Sequence, residues 1–365
     1  LFGCGLSFAL EVLQSALPSR VPSPLDWAAN SAGTLLGAAF AAAFDPRLPS
    51  GRVLLNLRRD WFAPGALVNL ALIILGLWAL TQAAPFVPSF DWGNLKSGLK
   101  PLGNTLRHME TFRPVETMSI GLTLLALGLM ARMAALRPIT WPFLLFTLGV
   151  LLLKVPVVGR QLTLEALAGW TIAMGGLFVW PRHTAARVTG ACAALLTAYA
   201  LMQLGPGDTA ATHPMNWVPF KSQVGTLAGM SDILETLWPF MALALAVRWL
   251  TPWRWRQLAW FGGSVIVALL AFSLEWMQQS IPGRFADMTD VLLAVLGWLL
   301  PWLLTDTRGR VFTVEPALTP RTVRSNWKPW PSAYCPTQPR STSSAWLSSR
   351  LAMYCAAAAA FSGSP

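Results

Sequence analysis

Charged side chains are scarce in this chain: 12% of its 365 residues are Asp, Glu, Lys or Arg, while 54% are hydrophobic and the mean hydropathy is +0.50. A water-exposed globule of this size needs far more charge on its surface, so the composition excludes one and reads as a polytopic membrane protein. Cysteine is equally sparse. Cys4 and Cys192 lie in apolar segments and Cys335 and Cys355 near the end, with no CxxC pair and no metal-ligand spacing, so neither a disulfide framework nor a metal site is indicated. The three histidines, His108, His183 and His213, are dispersed, and there is no Ser/His/Asp grouping or glycine-rich phosphate cradle. No catalytic residue can therefore be named, and no cofactor is expected. The net charge of +11 could suggest nucleic acid, but Arg and Lys sit mostly in short segments between apolar runs, where they act as topology signals. The expected partners are membrane lipids, not nucleic acid. The sequence opens on Leu1 inside an apolar segment without Met, which reads as a missing N-terminal portion.

A membrane-spanning helix needs about 20 largely apolar residues. Ten segments qualify, eight of them clearly: 62–85, 116–136, 139–158, 164–180, 186–204, 233–250, 257–277 and 288–304. The first two are 1–17, apparently truncated, and 25–44, where the GxxxG spacing of Gly33 and Gly37 suggests close helix packing. The expected fold is thus all-α, a transmembrane bundle of about ten helices. With the loop holding Arg47, Arg52, Arg58 and Arg59 placed in the cytoplasm, alternation also puts Arg132/Arg137, Arg182/Arg187, Arg248/Arg254/Arg256 and Arg308/Arg310 inside. The connection 87–115, with four basic residues and Gly, Pro and Asn turn signals around short amphipathic pieces, is expected on the outer membrane surface. After residue 304 the chain becomes rich in Pro, Ser, Thr and Arg and reads as a disordered tail, a composition that a shifted reading frame would also produce.

The most informative feature is a repeat. LEVLQSALPSRVPSPLD at 10–26 returns as LEWMQQSIPGRFADMTD at 274–290. Adding 264 carries Glu11 to Glu275, Gln14 to Gln278, Pro18 to Pro282, Arg20 to Arg284, Asp26 to Asp290 and Gly33 to Gly297 without a gap. On the alternating topology both copies face the non-cytoplasmic side with one orientation, a parallel duplication.

Each Glu and Gln are three apart and share a helix face. A turn follows at Pro18-Ser19-Arg20 and Pro282-Gly283-Arg284, and the next helix opens with Ser23 or Asp287 as N-cap and Asp26 or Asp290 at the third helical position. Two readings remain open. In one, Asp26 and Asp290 complete a reciprocal capping box while Arg20 and Arg284 pair with a carboxylate, making a polar staple between helices. In the other, Glu, Gln, Arg and Asp converge on an outward-facing pocket for a polar ligand.

With these residues in view the chain resembles the VanZ-like family of small bacterial membrane proteins. The second copy fits the family order: a helix at 186–204, NWVPF with Asn216, Pro219 and Phe220, helices near 233 and 257, the Glu275 to Asp290 turn and a last helix. The first copy keeps only the final helix pair, with Asn30 as well as Gly33, whereas the second has Ala294 where the first has Asn30. The expected organisation is 1–44, the end of a truncated first unit; 45–61, a basic cytoplasmic loop; 62–180, a four-helix connecting region; 181–304, the second unit; and 305–365, the tail. The resemblance implies an integral protein of the bacterial cytoplasmic membrane linked with the cell envelope. The family takes its name from a protein associated with teicoplanin resistance, which suggests altered access of a glycopeptide antibiotic to the envelope.

Three functions follow as expectations. The first is a non-enzymatic protein whose polar turns, Glu11, Gln14, Arg20, Asp26 and Asn30 with Glu275, Gln278, Arg284 and Asp290, hold a lipid head group or an envelope precursor; arginine's planar fork suits such anions. Asn216 is a secondary candidate. The second is a membrane enzyme acting on an envelope lipid, with Glu275 as general base, Arg284 as stabiliser and Asp232 and Glu235, three apart at the start of their helix, joining the cluster. The third is a transporter, disfavoured because the polar residues lie at the rim and not at the bilayer midplane.

Overall fold

The architecture comes from a computed structural model of the chain, which describes residues 2–14, 24–84, 87–181, 183–205, 207, 211–221, 223 and 227–305. Among these residues twelve α-helices run in chain order: α1 Phe2–Gln14, α2 Pro24–Ala43, α3 Pro49–Trp61, α4 Ala66–Ala83, α5 Trp92–Arg107, α6 Pro114–Ala134, α7 Thr140–Leu152, α8 Leu164–Val179, α9 Thr184–Leu204, α10 Leu227–Leu250, α11 Arg256–Gln278 and α12 Met288–Thr305. Among the described residues there is no multi-residue strand, only three isolated bridges. The all-α expectation stands.

Among the described residues six helices are long and apolar enough to cross a membrane: α4, α6, α9, α10, α11 and α12. Of the ten expected spans, α1 and α2 are not among these six, and two of the eight clear ones fall short. α7 stops at Leu152, where the chain turns through Leu153, Lys154 and Val155, and its 13 residues reach only about 20 Å at 1.5 Å per residue, against a hydrocarbon core of about 30 Å. α8, with 16 residues, is also too short. Lys154, expected near a helix end at the membrane surface, lies in that turn.

Two connections are more ordered than expected. The basic loop 45–61 is mostly α3: Pro49 sits in its first turn, and Arg58 in its last turn donates to the carbonyls of Phe62 and Ala63 and to Asn69 Oδ1, stapling it to α4. The 87–115 connection contains α5, capped by Asp91, whose carboxylate accepts from Gly93 N–H. α5 docks on the turn after α7, where Gly98 comes so near Val155 that a Cβ would stand 2.6 Å from its carbonyl oxygen.

The largest apolar core gathers α4, α6, α7, α8, α9 and α10 around Ile74, Leu124, Leu129, Leu144, Leu177 and Leu245. A second forms where α9, α10, α11 and α12 meet around Phe240, Ala271, Ala294 and Trp298. Small residues set the approach of the helices. A Cβ at Gly297 would lie 2.6 Å from the Leu237 carbonyl oxygen, and Gly263 lies under the Trp298 ring, whose indole N–H donates to Trp260 O. At the other end of the chain α1 packs on α2, with Phe8 edge-on to Trp27 and Trp27 Nε1 donating to Cys4 O. The close packing expected at Gly33 and Gly37 is not made there: among the described residues a Cβ at either would meet nothing within 4 Å. α1 touches α2 instead at Gly3, which lies against Thr34.

Tryptophan is split between two roles. Trp92, Trp141, Trp217 and Trp253 are exposed as surface anchors would be, whereas Trp78, Trp238, Trp298 and Trp302 are buried packing residues.

The bundle has two chemically distinct ends. Ala63 N–H donates to Ala134 O, joining the start of α4 to the end of α6, and Arg160 joins the end of α4 to the start of α10. Alternation carries the pattern through α12. Beyond Asp60, the described acids Asp91, Glu110, Glu116, Glu165, Asp232, Glu235, Glu275, Asp287 and Asp290 lie at one end, mixed with Lys96, Lys100, Arg107, Arg113, Lys154, Arg160, Lys221 and Arg284, whereas the other end holds Arg132, Arg137, Arg187, Arg248, Arg254 and Arg256 without a described acid.

Candidate functional site

At the acid end a hydrogen-bond network ties the turn between α11 and α12 to the segment between α9 and α10. Asp287 is its hub. As N-cap of α12 it accepts Thr289 N–H at 2.8 Å on Oδ1, the arrangement that satisfies a free donor of the first helical turn. Its Oδ2 accepts from Asn216 Nδ2 at 3.1 Å and from Gln223 Nε2 at 3.4 Å. Backbone joins backbone as well: Asn216 N–H donates to Ala286 O, and Met288 N–H to Asn216 O, a parallel bridge centred on Asp287.

Thr289 is fully buried. Its single hydroxyl hydrogen has two acceptors within reach, Asp287 Oδ1 at 2.6 Å and Gln223 Oε1 at 3.3 Å, and the shorter bond to the carboxylate wins. The hydroxyl oxygen in turn accepts Phe220 N–H at 2.8 Å. That bond holds Phe220 at a φ of +63°, the left-handed region seldom used by a side chain of that size. Asn216 also closes on its own turn, accepting Val218 N–H and donating to Val218 O.

Glu275 and Gln278 share a face of α11 as their spacing required, but that face is buried. Glu275 is 1% exposed and Gln278 3%. Glu275 Oε2 accepts Asp287 N–H at 2.9 Å, and Oε1 accepts from Gln278 Nε2 at 3.4 Å. Gln278 also donates to Gln203 Oε1 on α9, and Gln203 to the Tyr199 hydroxyl, extending the chain of bonds into the membrane part of the bundle.

The reciprocal capping box expected of Asp290 is made differently. The acid that reaches the N-cap N–H is Glu275, from the preceding helix. An Asp at the third position is one methylene shorter than the Glu or Gln such a box uses, and Asp290 Oδ1 instead accepts from Thr236 on α10. Arg284 does not complete the expected carboxylate pair either. Its guanidinium donates to the carbonyls of Gly205, at 2.8 Å, and Met202 in the last turn of α9, where free carbonyls make the helix end negative.

Asp232 and Glu235 do not join this cluster. Asp232 is exposed, whereas Glu235 accepts from Ser231 and faces Arg160 at 3.5 Å, as part of a separate link to α4. Of the first copy, the side chains of Glu11, Gln14 and Asp26, and all of Arg20 and Ser23, lie outside the described residues, as does the tail after 305; Asn30 is exposed on α2. Among the described residues no group of three His, Cys, Asp or Glu is placed to hold a metal ion.

Sequence reasoning treated Asp287 as a cap alone and passed over Gln203, Gln223, Thr236 and Thr289. Gln203 had a signal, a lone amide inside an apolar span. Gln223 and Thr289 had none, because 66 residues separate them along the chain.

Fold and site together define a helical membrane-protein unit closed at one end by a buried polar lock. Residues 188–308, which run from α9 to just past α12 and include the lock, match the family model described as VanZ/LLP1. No curated protein and no solved structure matches the chain.

Proposed function

We propose that this chain is an integral protein of a bacterial cytoplasmic membrane that holds a lipid head group or envelope precursor at the acid end of its bundle, and performs no chemistry on it. The observation that carries this reading is the state of Glu275. Both its oxygens already accept hydrogen bonds from the protein and it is 1% exposed, which suits a group that positions the turn rather than a base that meets a substrate. The segments that carry the lock also expose Trp217, Val218, Lys221 and Phe285, with His213 stacked on Phe285 at 4.0 Å between centroids. Aromatic faces beside a lysine and the Arg284 turn suit an amphipathic anion. The basic residues at the opposite end favour placing the acid end outside the cytoplasm. The turn at 10–26 is then a second, parallel copy of the same device. A precursor held on that face would alter the access of a glycopeptide antibiotic to it.

The test is the envelope lipid and precursor profile of a deletion strain carrying the wild type, the Trp217→Ala, Lys221→Ala pair, or the Glu275→Gln variant. The expected result is a changed profile restored by the wild type and by Glu275→Gln, but not by the paired variant, with all three proteins present in the membrane. Full rescue by an accumulated paired variant would sink the binding reading. Failure of an accumulated Glu275→Gln would replace it with a catalytic one.

A further inference from the structure

The end of the bundle remote from the lock carries a feature that the acid-end reading does not use. Between the start of α9, the end of α10 and the start of α11 runs a groove of about 670 Å³, lined by Val188, Cys192, Val247, Leu250, Trp255 and Leu258, among others. That volume is in the range of small-molecule sites, and the lining is nearly all apolar.

Its rim is basic. The segment 183–192 contains Arg187 and no acid; the segment 253–260 contains Arg254 and Arg256 and no acid. Arg254 is exposed, and its guanidinium lies 5.8 Å from the ring centroid of Trp255, which lines the groove, so a fixed positive charge stands at the groove mouth. Arg256 lies over the ring of Trp253 at 4.0 Å. Both tryptophans are exposed, as aromatic residues at a membrane interface are. Arg187 precedes Val188 of the lining on the α9 side. An apolar trough in a membrane protein, with guanidinium groups and indole rings at its mouth, matches one occupant: a lipid with an acyl chain and an anionic phosphate head.

We propose that this groove is a binding site for an acidic phospholipid, with an acyl chain along Leu250, Leu258 and Val188 and the head group at Arg254 and Arg187. Charge sets the selectivity, since each basic residue near an anionic lipid surface contributes about 1 kcal/mol, equivalent to roughly five-fold in retention. The apolar trough contributes affinity without head-group preference.

The experiment uses the full chain in detergent and compares retention of phosphatidylglycerol with phosphatidylcholine of the same acyl chains, by native mass spectrometry. The wild type is expected to retain phosphatidylglycerol preferentially. Arg254→Gln should reduce the preference about five-fold and the Arg187→Gln, Arg254→Gln pair further. Thr189→Trp, at an exposed position of the lining, should fill the trough and weaken both lipids alike. Equal retention of the two lipids by the wild type would overturn the proposal. So would a preference that survives the double substitution in a folded protein, or one lost in Lys221→Gln at the acid end and kept in Arg254→Gln.

Discussion

The carboxylate of Glu275 on α11 accepts the backbone N–H of Asp287, the residue that caps α12, at 2.9 Å. One helix thereby satisfies the open end of the next. A donor at a helix start is normally met from within its own first turn, so the bond fixes the hairpin geometry as well as the cap.

Removing that acceptor takes from the buried Asp287 N–H the carboxylate it donates to and opens space beside Gln278. Glu275→Ala should therefore lower stability by about 1–3 kcal/mol, while Glu275→Gln, which keeps an acceptor oxygen, should lose less than half as much. Thermal unfolding in detergent of the two variants, compared with the wild type, checks the order.

Asn216 makes five bonds through side chain and backbone, two of them to the α11–α12 turn or its cap through the main chain alone. Asn216→Ala keeps the main-chain pair and should cost roughly 1–2 kcal/mol. Asn216→Asp sets a second carboxylate against Asp287 Oδ2 where a donor stood, and should cost more than the alanine. Reversal of that order in a stability measurement would mean that Asn216 acts through its shape and not through its amide donor.

Arg160 offers a case in which two contributions can be ranked. Its ion pair with Glu235 is 3.5 Å long, with side chains 30% and 41% exposed, and such pairs contribute only about 0.2–1 kcal/mol. Its bonds to the carbonyls of Ala84 and Thr81 close the end of α4, and a charged donor to an acceptor of this kind contributes about 1.5–3 kcal/mol. Arg160→Ala should thus destabilise by several times as much as Glu235→Gln, and a double-mutant cycle should give a small coupling energy.

Gly33 and Gly297 occupy equivalent places in the two copies of the sequence motif but not equivalent surroundings. Gly297→Ala puts a methyl 2.6 Å from the Leu237 carbonyl, which cannot yield without moving α10, and should cost about 1–3 kcal/mol. Gly33→Ala meets nothing within 4 Å among the described residues and should change stability by no more than about 0.5 kcal/mol, with any change a gain in helix propensity. Proteolysis rates of the two variants in membranes would show the contrast. Equal damage from both would mean that α2 is covered by a surface of the same kind.

These expectations also mark where sequence reading succeeded. Three of the last four membrane helices, α9, α11 and α12, were legible to within about two residues because apolar runs bounded by Arg, Pro and Gly set both ends, as at Arg256 and Gln278 for α11, whereas α10 begins at Leu227, ahead of the expected start at 233. The shared face of Glu275 and Gln278 followed from their spacing alone. What spacing could not give was direction. Whether that face meets the outside or the bundle depends on α9 and on the 211–221 segment, which lie dozens of residues away. Arg284 was assigned a carboxylate because opposite charges attract. The carbonyls that hold it become acceptors only once α9 has ended at Leu204, a tertiary fact with no local signature. The shortness of α7 was hidden for a similar reason: 139–158 is apolar throughout apart from Lys154, and only the docking of α5 shows why the chain turns there.

The bridge between Asn216 and Asp287 also bears on how the protein is made. Segment 211–221 leaves the ribosome before α10 and α11, and every acceptor and donor it needs from the cap of α12 is encoded about 70 residues later. During synthesis this segment must wait on its side of the membrane with its amides met by water, while two further helices are inserted. Closure of the lock is therefore an obligate late event. A chain released before residue 290 can thread its helices through the bilayer, yet it lacks the partner that seals them, and quality-control proteases would meet it open.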